Sequence, residues 1–247
     1  MFYPLYCRGY QAVMRATSKM LAWREPEVIR GAHALSQLPA AIRERGVERV
    51  LVVTDRGVQA AGILNEVLDG LRRQGIYAVV YDETVPNPTI GNIEDALAVY
   101  HGEACKGIVA VGGGSPMDCA KGVGARVARP DRTIPQMKGL FKVRRRMPPL
   151  FAVPTTAGTG SEATLAAVVS NPKTREKYAL MDTALIPDVA VLDPTLTLGL
   201  PRQVTATTGM DALTHAVEAY IGRSNTPYTE QCSREAVRII FQSLVHV

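Results

Sequence analysis

The 247-residue sequence predicts an α/β domain built on a parallel sheet, followed by the beginning of an all-helical domain. Three observations carry this expectation. Short apolar runs rich in valine alternate with segments whose apolar residues recur at helical spacing. A run of three glycines directly follows one of those apolar runs and opens a helical pattern. After Asp193-Pro194 the short apolar runs stop and only helical periodicity remains.

Composition narrows the classes. Hydrophobic residues make up 47% of the chain, enough for a sizeable core, which excludes a disordered chain. The formal net charge of +5 is mild and the basic residues are scattered. Their densest knot is Lys138, Lys142, Arg144, Arg145 and Arg146, which holds one aromatic, Phe141, and ends in Pro148-Pro149. It reads as a solvated loop, so no nucleic-acid partner is expected. Cys7, Cys105, Cys119 and Cys232 stand far apart with no C-x-x-C pair. That suits a reducing, cytoplasmic setting and argues against a cysteine-built zinc site. No apolar run approaches the ~18 residues of a membrane span.

In chain order, Tyr6, Tyr10, Val13, Met14, Thr17 and Leu21 recur at helical spacing, with Arg8, Arg15 and Lys19 on the other face. An amphipathic helix docked on the domain or on a partner subunit is expected. Leu38, Ile42 and a closing Gly46 mark a short helix, and 49–54 (RVLVVT) a buried strand. Ile63, Leu64, Val67, Leu68 and Leu71 trace one helical face, stopped by Gly75. A second strand covers 76–81, and Pro86-Asn87-Pro88 makes a rigid loop, because proline fixes its own φ and disfavours helix before it. Ile93, Ala96, Leu97 and Tyr100 give another helix, and 107–111 (GIVAV) another strand. Strands separated by helices imply βαβ units. A polar, proline-punctuated insert spans 129–149, and further short strands are expected near 150–153, 164–170, 177–181 and 186–192. Helices follow over 201–222 and after Pro227, where Val237, Ile240, Phe241 and Leu244 share a face. Residues 1–197 are thus expected to form the α/β domain and 198–247 the start of the helical one. The helical part reads as truncated, its last helix carrying an unmatched apolar face.

The most informative segment is GGGSPMDCAK at 112–121. Ser115 is expected as the helix N-cap, Pro116 suits the first turn, and Asp118 completes a capping-box-like spacing. Glycines let the backbone approach an anion, and a helix N-terminus offers free N–H groups and a partial positive charge. The segment reads as a pyrophosphate cradle; the plainer alternative is a tight turn that uses glycine for geometry only. Its spacing matches neither G-x-G-x-x-G nor Walker A. Further on, Asp211 and His215 stand four residues apart on an expected helix. One face would then hold both, about 5–6 Å apart at Cβ, close enough to grip one cation. Such a pair is more often a plain surface contact.

GGGSPMDCAK resembles the GGGSxxDxAK signature of the iron-containing (group III) alcohol dehydrogenase family. TDRGV at 54–58, PNPT at 86–89, PTTAGTGSE at 154–162, KYALMD, PDVAVLDP and GMDALTHAVEAY at 209–220 resemble family segments in the same order. The resemblance implies a Rossmann-like nucleotide-binding domain followed by a helical metal-binding domain. It also implies an NAD(H)-dependent, metal-dependent oxidoreductase that interconverts a small alcohol with an aldehyde or ketone, assembled as a homo-oligomer.

Residue by residue, it implies that Gly112, Gly113, Gly114, Ser115 and Asp118 belong to the cofactor cradle. Asp55 would accept hydrogen bonds from the adenosine ribose hydroxyls and repel a 2′-phosphate, favouring NAD over NADP. On sequence alone Asp55 is equally a helix N-cap. Thr155, Thr156 and Thr159 would line the pyrophosphate and nicotinamide ribose, Lys177 would touch that ribose, and Asn87 would face the substrate. Asp211 and His215 would be the first two ligands of Fe²⁺, with Zn²⁺ as the other metal this donor pair suits. The family's two further histidine ligands have no assignable counterpart: His33 and His101 fall in the nucleotide domain and His246 at the chain end. Two alternatives follow, a catalytically dead nucleotide-binding module and a related superfamily member such as glycerol dehydrogenase.

Overall fold

The computed structural model describes Arg8, residues 24–223 and residues 225–246; the expected N-terminal amphipathic helix lies outside the described residues. The chain runs β1 (Glu27–Arg30), α1 (Leu38–Glu44), β2 (Arg49–Val53), α2 (Arg56–Ala60), α3 (Ile63–Arg73), β3 (Tyr77–Tyr81), α4 (Ile90–Gly102), β4 (Gly107–Gly112) and α5 (Gly114–Ala128). It continues through β5 (Gly139–Leu140), β6 (Leu150–Pro154), β7 (Ala166–Asn171), β8 (Glu176–Met181), β9 (Val189–Leu192), α6 (Arg202–Ile221) and α7 (Pro227–Ser243). Six strands form one parallel sheet in the order β1-β9-β6-β4-β2-β3.

Strand periodicity explains the two layers of core. Successive residues of a strand point to opposite faces. Leu51, Val53, Ile108 and Ala110 therefore pack on Ile93 and Ala96 of α4 and on Ala120 and Val123 of α5. Their neighbours Val50, Val52, Val109 and Val111 pack on Leu38 and Ile42 of α1 and on Leu64, Val67 and Leu71 of α3. Both faces are covered, which is why these strands read as unbroken apolar runs. Burial of each such side chain contributes roughly 1.5–3 kcal/mol.

Three features differ from expectation. The edge strand β1 was not expected: Glu27 and Arg30 flank Val28 and Ile29, too short a run to signal, and the strand exists because its backbone pairs with β9. The strands near 164–170 and 177–181 lie outside the main sheet. They are β7 and β8, an antiparallel pair that with β5 makes a separate three-stranded sheet. On α7, Val237, Ile240 and Leu244 are half-buried, so only Phe241 of that expected bare face is open, at 62% exposure. Close packing of α6 at Gly209 helps: a Cβ there would stand 2.5 Å from Leu244 Cδ1.

Two buried aspartates tie loops to this frame. Asp182 Oδ2 accepts from the Val143 and Arg144 N–H groups, both at 3.0 Å, and so fixes the basic loop at the surface. Asp193, at the end of β9, accepts from the N–H groups of His33 (3.1 Å), Leu35 (3.0 Å) and Thr195 (3.0 Å), and from the Thr195 hydroxyl. Burial alone would raise its carboxyl pKa, but these hydrogen bonds outweigh it and hold the group below its ordinary value. Ionised Asp193 thus stabilises the fold fully above the ordinary carboxylate range, ~4, and the contribution is lost as pH falls through the lowered value. Asp193→Asn is expected to cost roughly 1.5–3 kcal/mol at pH 7. In urea titrations the gap to wild type should shrink as pH falls below the ordinary carboxylate range, ~4, and through the lowered value; a gap constant with pH would remove the charge from the explanation. Among the described residues, no helix is long and apolar enough to cross a membrane.

Candidate functional site

The carboxyl ends of all six parallel strands open into one cleft of about 1560 Å³. His33 follows β1, Asp55 follows β2, Asp82 and Glu83 follow β3, Gly113 to Pro116 follow β4, Thr155 and Thr156 follow β6, and Thr195 and Leu196 follow β9; all line it. Leu200, Val204 and Thr208 close it from the α6 side. The chain winds from β2 outward to β3, then returns to the other side of β2 to make β4. That reversal is the switch point where open α/β sheets bind ligands, and Asp55 and the glycine turn flank it.

The turn itself is tight. Gly112 has φ +143°, and a Cβ there would stand 2.7 Å from Pro116 Cγ, so only glycine fits. Its carbonyl accepts from the Thr155 N–H at 3.0 Å, joining the glycine turn to the 155–159 turn. The two turns also pack face to face: Cβ atoms at Gly113 and Gly114 would stand 3.3 Å from Thr156 Oγ1 and 3.0 Å from Thr159 Cγ2. Helix α5 starts at Gly114 with Gly113 as its N-cap, and no side chain caps it.

This corrects two expectations. Ser115 is not the N-cap, because the glycine backbone enters the helix two residues earlier; its hydroxyl accepts instead from the Asn87 N–H at 3.1 Å. Asp118 completes no capping box, since it lies two residues past the N3 position, where its Oδ1 accepts from Ser161 Oγ at 3.0 Å. Burial raises the Asp118 pKa, and Lys121 opposes that.

Asp55 is the N-cap of α2 and also lines the cleft. Its Oδ1 caps α2, accepting from the N–H groups of Gly57 (2.8 Å) and Val58 (3.0 Å), while the residue lines the cleft beside the glycine turn. Gly113, Gly114, Ser115, Thr155, Thr156 and Thr159 line the cleft with it. Gly112 lies beneath, and Asp118, Lys177 and Asn87 stand outside the lining. Lys177 donates to Asn87 Oδ1 at 2.6 Å, so Lys177, Asn87 and Ser115 form a linked row. Asn87 holds a left-handed φ of +57°, a backbone form asparagine tolerates.

The residues present fit a dinucleotide. An uncapped N-terminus of a 15-residue helix, three glycines that hold side chains away, and hydroxyls facing them form a cradle suited to a pyrophosphate. They fit a metal only in part. Asp211 and His215 share one face of α6, His215 Nε2 3.7 Å from Asp211 Oδ2, both side chains well exposed. Among the described residues no group of three or more His, Cys, Asp or Glu side chains gathers, whereas a catalytic site takes about three protein ligands.

Sequence reasoning missed two features. Glu66, Asp82 and Glu83 line the cleft with Asp55, and so does Arg56, which pairs with Glu83 at 3.3 Å, so the lining carries a net negative charge; these carboxylates are scattered over 55–83, and nothing local links them. Lys121 is wholly buried behind the site. Its signal was present, a lysine on the apolar face of a helix, but its partners lie 40 or more residues away.

The sequence model of the iron-containing alcohol dehydrogenase family matches residues 25–194, and that of the C-terminal part of the Fe-containing alcohol dehydrogenase family matches 205–247. A 1,3-propanediol dehydrogenase of Klebsiella pneumoniae is 41% identical over 216 residues, which are 87% of this chain and 56% of that protein. A crystal structure of 1,3-propanediol oxidoreductase superposes with a TM-score of 0.87 at 39% identity, over 90% of this chain and 58% of the other. Sulfoacetaldehyde reductase from Bifidobacterium kashiwanohense, solved with NAD+, gives a TM-score of 0.81 at 29% identity, over 90% of this chain and 59% of its own. The chain thus spans just over half the length of these relatives. Matched in its sheet, its glycine turn and its helices alike, it belongs to the iron-containing alcohol dehydrogenase family.

Proposed function

We propose that this chain supplies the NAD(H) site of a dehydrogenase that interconverts a small alcohol with an aldehyde or ketone. The observation that carries the proposal is the glycine turn, set at the switch point and packed against the 155–159 turn. Bound NAD would supply the hydride acceptor for alcohol oxidation and, reduced, the donor for the reverse. The chain's own part is placement. The N–H groups at Gly113, Gly114 and Ser115 hold the pyrophosphate, with Gly112 making the bend. Asp55 takes the adenosine ribose hydroxyls, and its carboxylate disfavours a 2′-phosphate. Thr155, Thr156 and Thr159 wall the cofactor in. Lys177, steered by Asn87, reaches toward the nicotinamide ribose. Asp118 acts from behind the cradle and not on the cofactor directly.

The names of the relatives, a propanediol dehydrogenase and a sulfoacetaldehyde reductase, support short polar alcohols and aldehydes as the substrate class. Asp211 and His215 are proposed as two donors toward iron, the metal of the family's description. With no third donor beside them among the described residues, the proposal routes no chemistry through a metal. Division near residue 197, a cytoplasmic setting and a homo-oligomer belong to the same proposal.

NADH and NADPH titrated into the chain by calorimetry, with and without Fe²⁺, test it. Expected are micromolar NADH binding, NADPH binding at least tenfold weaker, and no dependence on iron. Equal affinity for both would refute the assignment of Asp55. A folded chain that binds neither refutes the cradle and favours an assembly module.

A further inference from the structure

We propose that Lys121 is a positioning residue: from inside the core it holds the wall of the cleft formed by the 155–159 turn. The inference rests on the nucleotide-site reading above. Lys121 is 0% exposed, on a helix whose neighbouring buried residues are apolar or glycine. Its Nζ donates to the carbonyls of Ser161 (2.7 Å), Thr164 (2.9 Å) and Ala166 (2.8 Å). It also reaches the hydroxyls of Ser161 (3.3 Å) and Thr164 (2.9 Å). All five oxygens belong to one short segment. An ammonium has three donors, so some of these bonds are shared. Asp118, nearly one turn earlier on α5, takes the Ser161 hydroxyl at 3.0 Å, so the helix grips that segment twice.

The grip passes into the cleft. The Ser161 N–H donates to Thr159 Oγ1 at 3.3 Å, and Thr159 is the residue packed against Gly114. One rigid helix therefore sets both sides of the cradle. Its N-terminus makes the glycine side, and Lys121, two turns further on, anchors the threonine side. Cradles hold their ligands tightly when such a supporting shell fixes them. A buried ammonium is stable only when oxygens surround it, so its five oxygen partners hold their segment in one place relative to α5.

Protonation supplies a signature. Burial pushes Lys121 down to about 8, while Asp118 and Glu162 act in the opposite direction. The groups facing it are Asp118 on α5 and Glu162 in the turn Ser161–Ala163, with Lys177 of β8 facing Asp118. Loss of one proton leaves the amine two donors in place of three, so the wall should slacken as pH rises.

The test combines NADH calorimetry with amide exchange over 155–166, in the wild-type chain, Lys121→Met and Ser161→Ala. Lys121→Met should raise the NADH Kd at least tenfold and speed exchange over 155–160 while 112–117 stays protected. Ser161→Ala should raise Kd about two- to fivefold. Wild-type affinity should weaken between pH 7 and 9.5, and Lys121→Met should be flat there, a contrast that general loss of stability would not produce. A folded Lys121→Met chain with wild-type Kd, or with the wild-type pH slope, overturns the proposal. Should Lys121→Met not fold, an unchanged Kd in Ser161→Ala together with a flat wild-type profile overturns it. A wild-type chain that binds no NADH refutes the nucleotide reading instead. Amide exchange over 155–160 then still judges the clamp, and unaltered exchange in Ser161→Ala overturns it.

Discussion

Gly112→Ala is expected to destabilise the chain by roughly 2–5 kcal/mol, summing a strained backbone and an overpacked contact, and to weaken NADH at least tenfold. Two effects act at this residue. A φ of +143° is open to glycine and strained for alanine, and the added Cβ would stand 2.7 Å from Pro116 Cγ in the first turn of α5. The helix cannot retreat freely, because the Gly112 carbonyl holds the Thr155 N–H and α5 is locked in the core by Cys119, Ala120 and Val123. Strain should therefore be relieved by opening the turn, which moves the N–H groups proposed to hold the pyrophosphate. Gly46→Ala is the control. Its φ of +68° is also left-handed, but nothing stands within 4 Å of the added Cβ. It should cost roughly 1 kcal/mol and leave NADH binding alone. Urea midpoints and calorimetry measure both; wild-type NADH affinity in Gly112→Ala would show that this turn does not form the cofactor site.

The second large effect is on cofactor choice. Asp55→Ala should narrow the preference for NADH over NADPH about tenfold to a hundredfold. Two like unit charges ~4 Å apart repel by about 1 kcal/mol in bulk water and about 4 kcal/mol at an effective dielectric of ~20, a range that brackets such an effect. Glu66, Asp82 and Glu83 still line the cleft, so some preference should survive. Alanine also removes the cap that Asp55 provides through the Gly57 and Val58 N–H groups, a loss of roughly 0.5–2 kcal/mol. Asp55→Ser separates the two roles: it keeps a capping oxygen and discards the charge. Its stability should stay near wild type while its preference relaxes as in Asp55→Ala. An unchanged preference in Asp55→Ser would place discrimination in the other three carboxylates.

The strands legible in the sequence were those buried on both faces. Val50, Leu51, Val52 and Val53 are apolar because helices cover both sides of the sheet, so the run itself is the signal. β1 carried no such signal, since its order comes from the backbone of β9. Ser115 looked like a cap because serine so often is one, but Gly113, two residues earlier, already had the extended backbone a cap needs. Asp55 was legible as a cap, because aspartate before a helix so often is one, and one oxygen is used for the cap while the residue lines the cleft.

What the sequence by itself determined is local: the alternation of buried strands and helices, the glycine turn that opens α5, and the pairing of Asp211 with His215 on one helical face. Each depends on residues within one or two turns of each other, where periodicity and backbone preference act. What only the tertiary structure decided is long-range. It placed β7 and β8 with β5 in a separate sheet, brought four scattered carboxylates to the lining of one cleft, and buried the Lys121 ammonium among oxygens of the 161–166 segment. Those outcomes depend on which surfaces meet once the sheet has formed, and a buried charge is stable only where the fold brings enough oxygens to it.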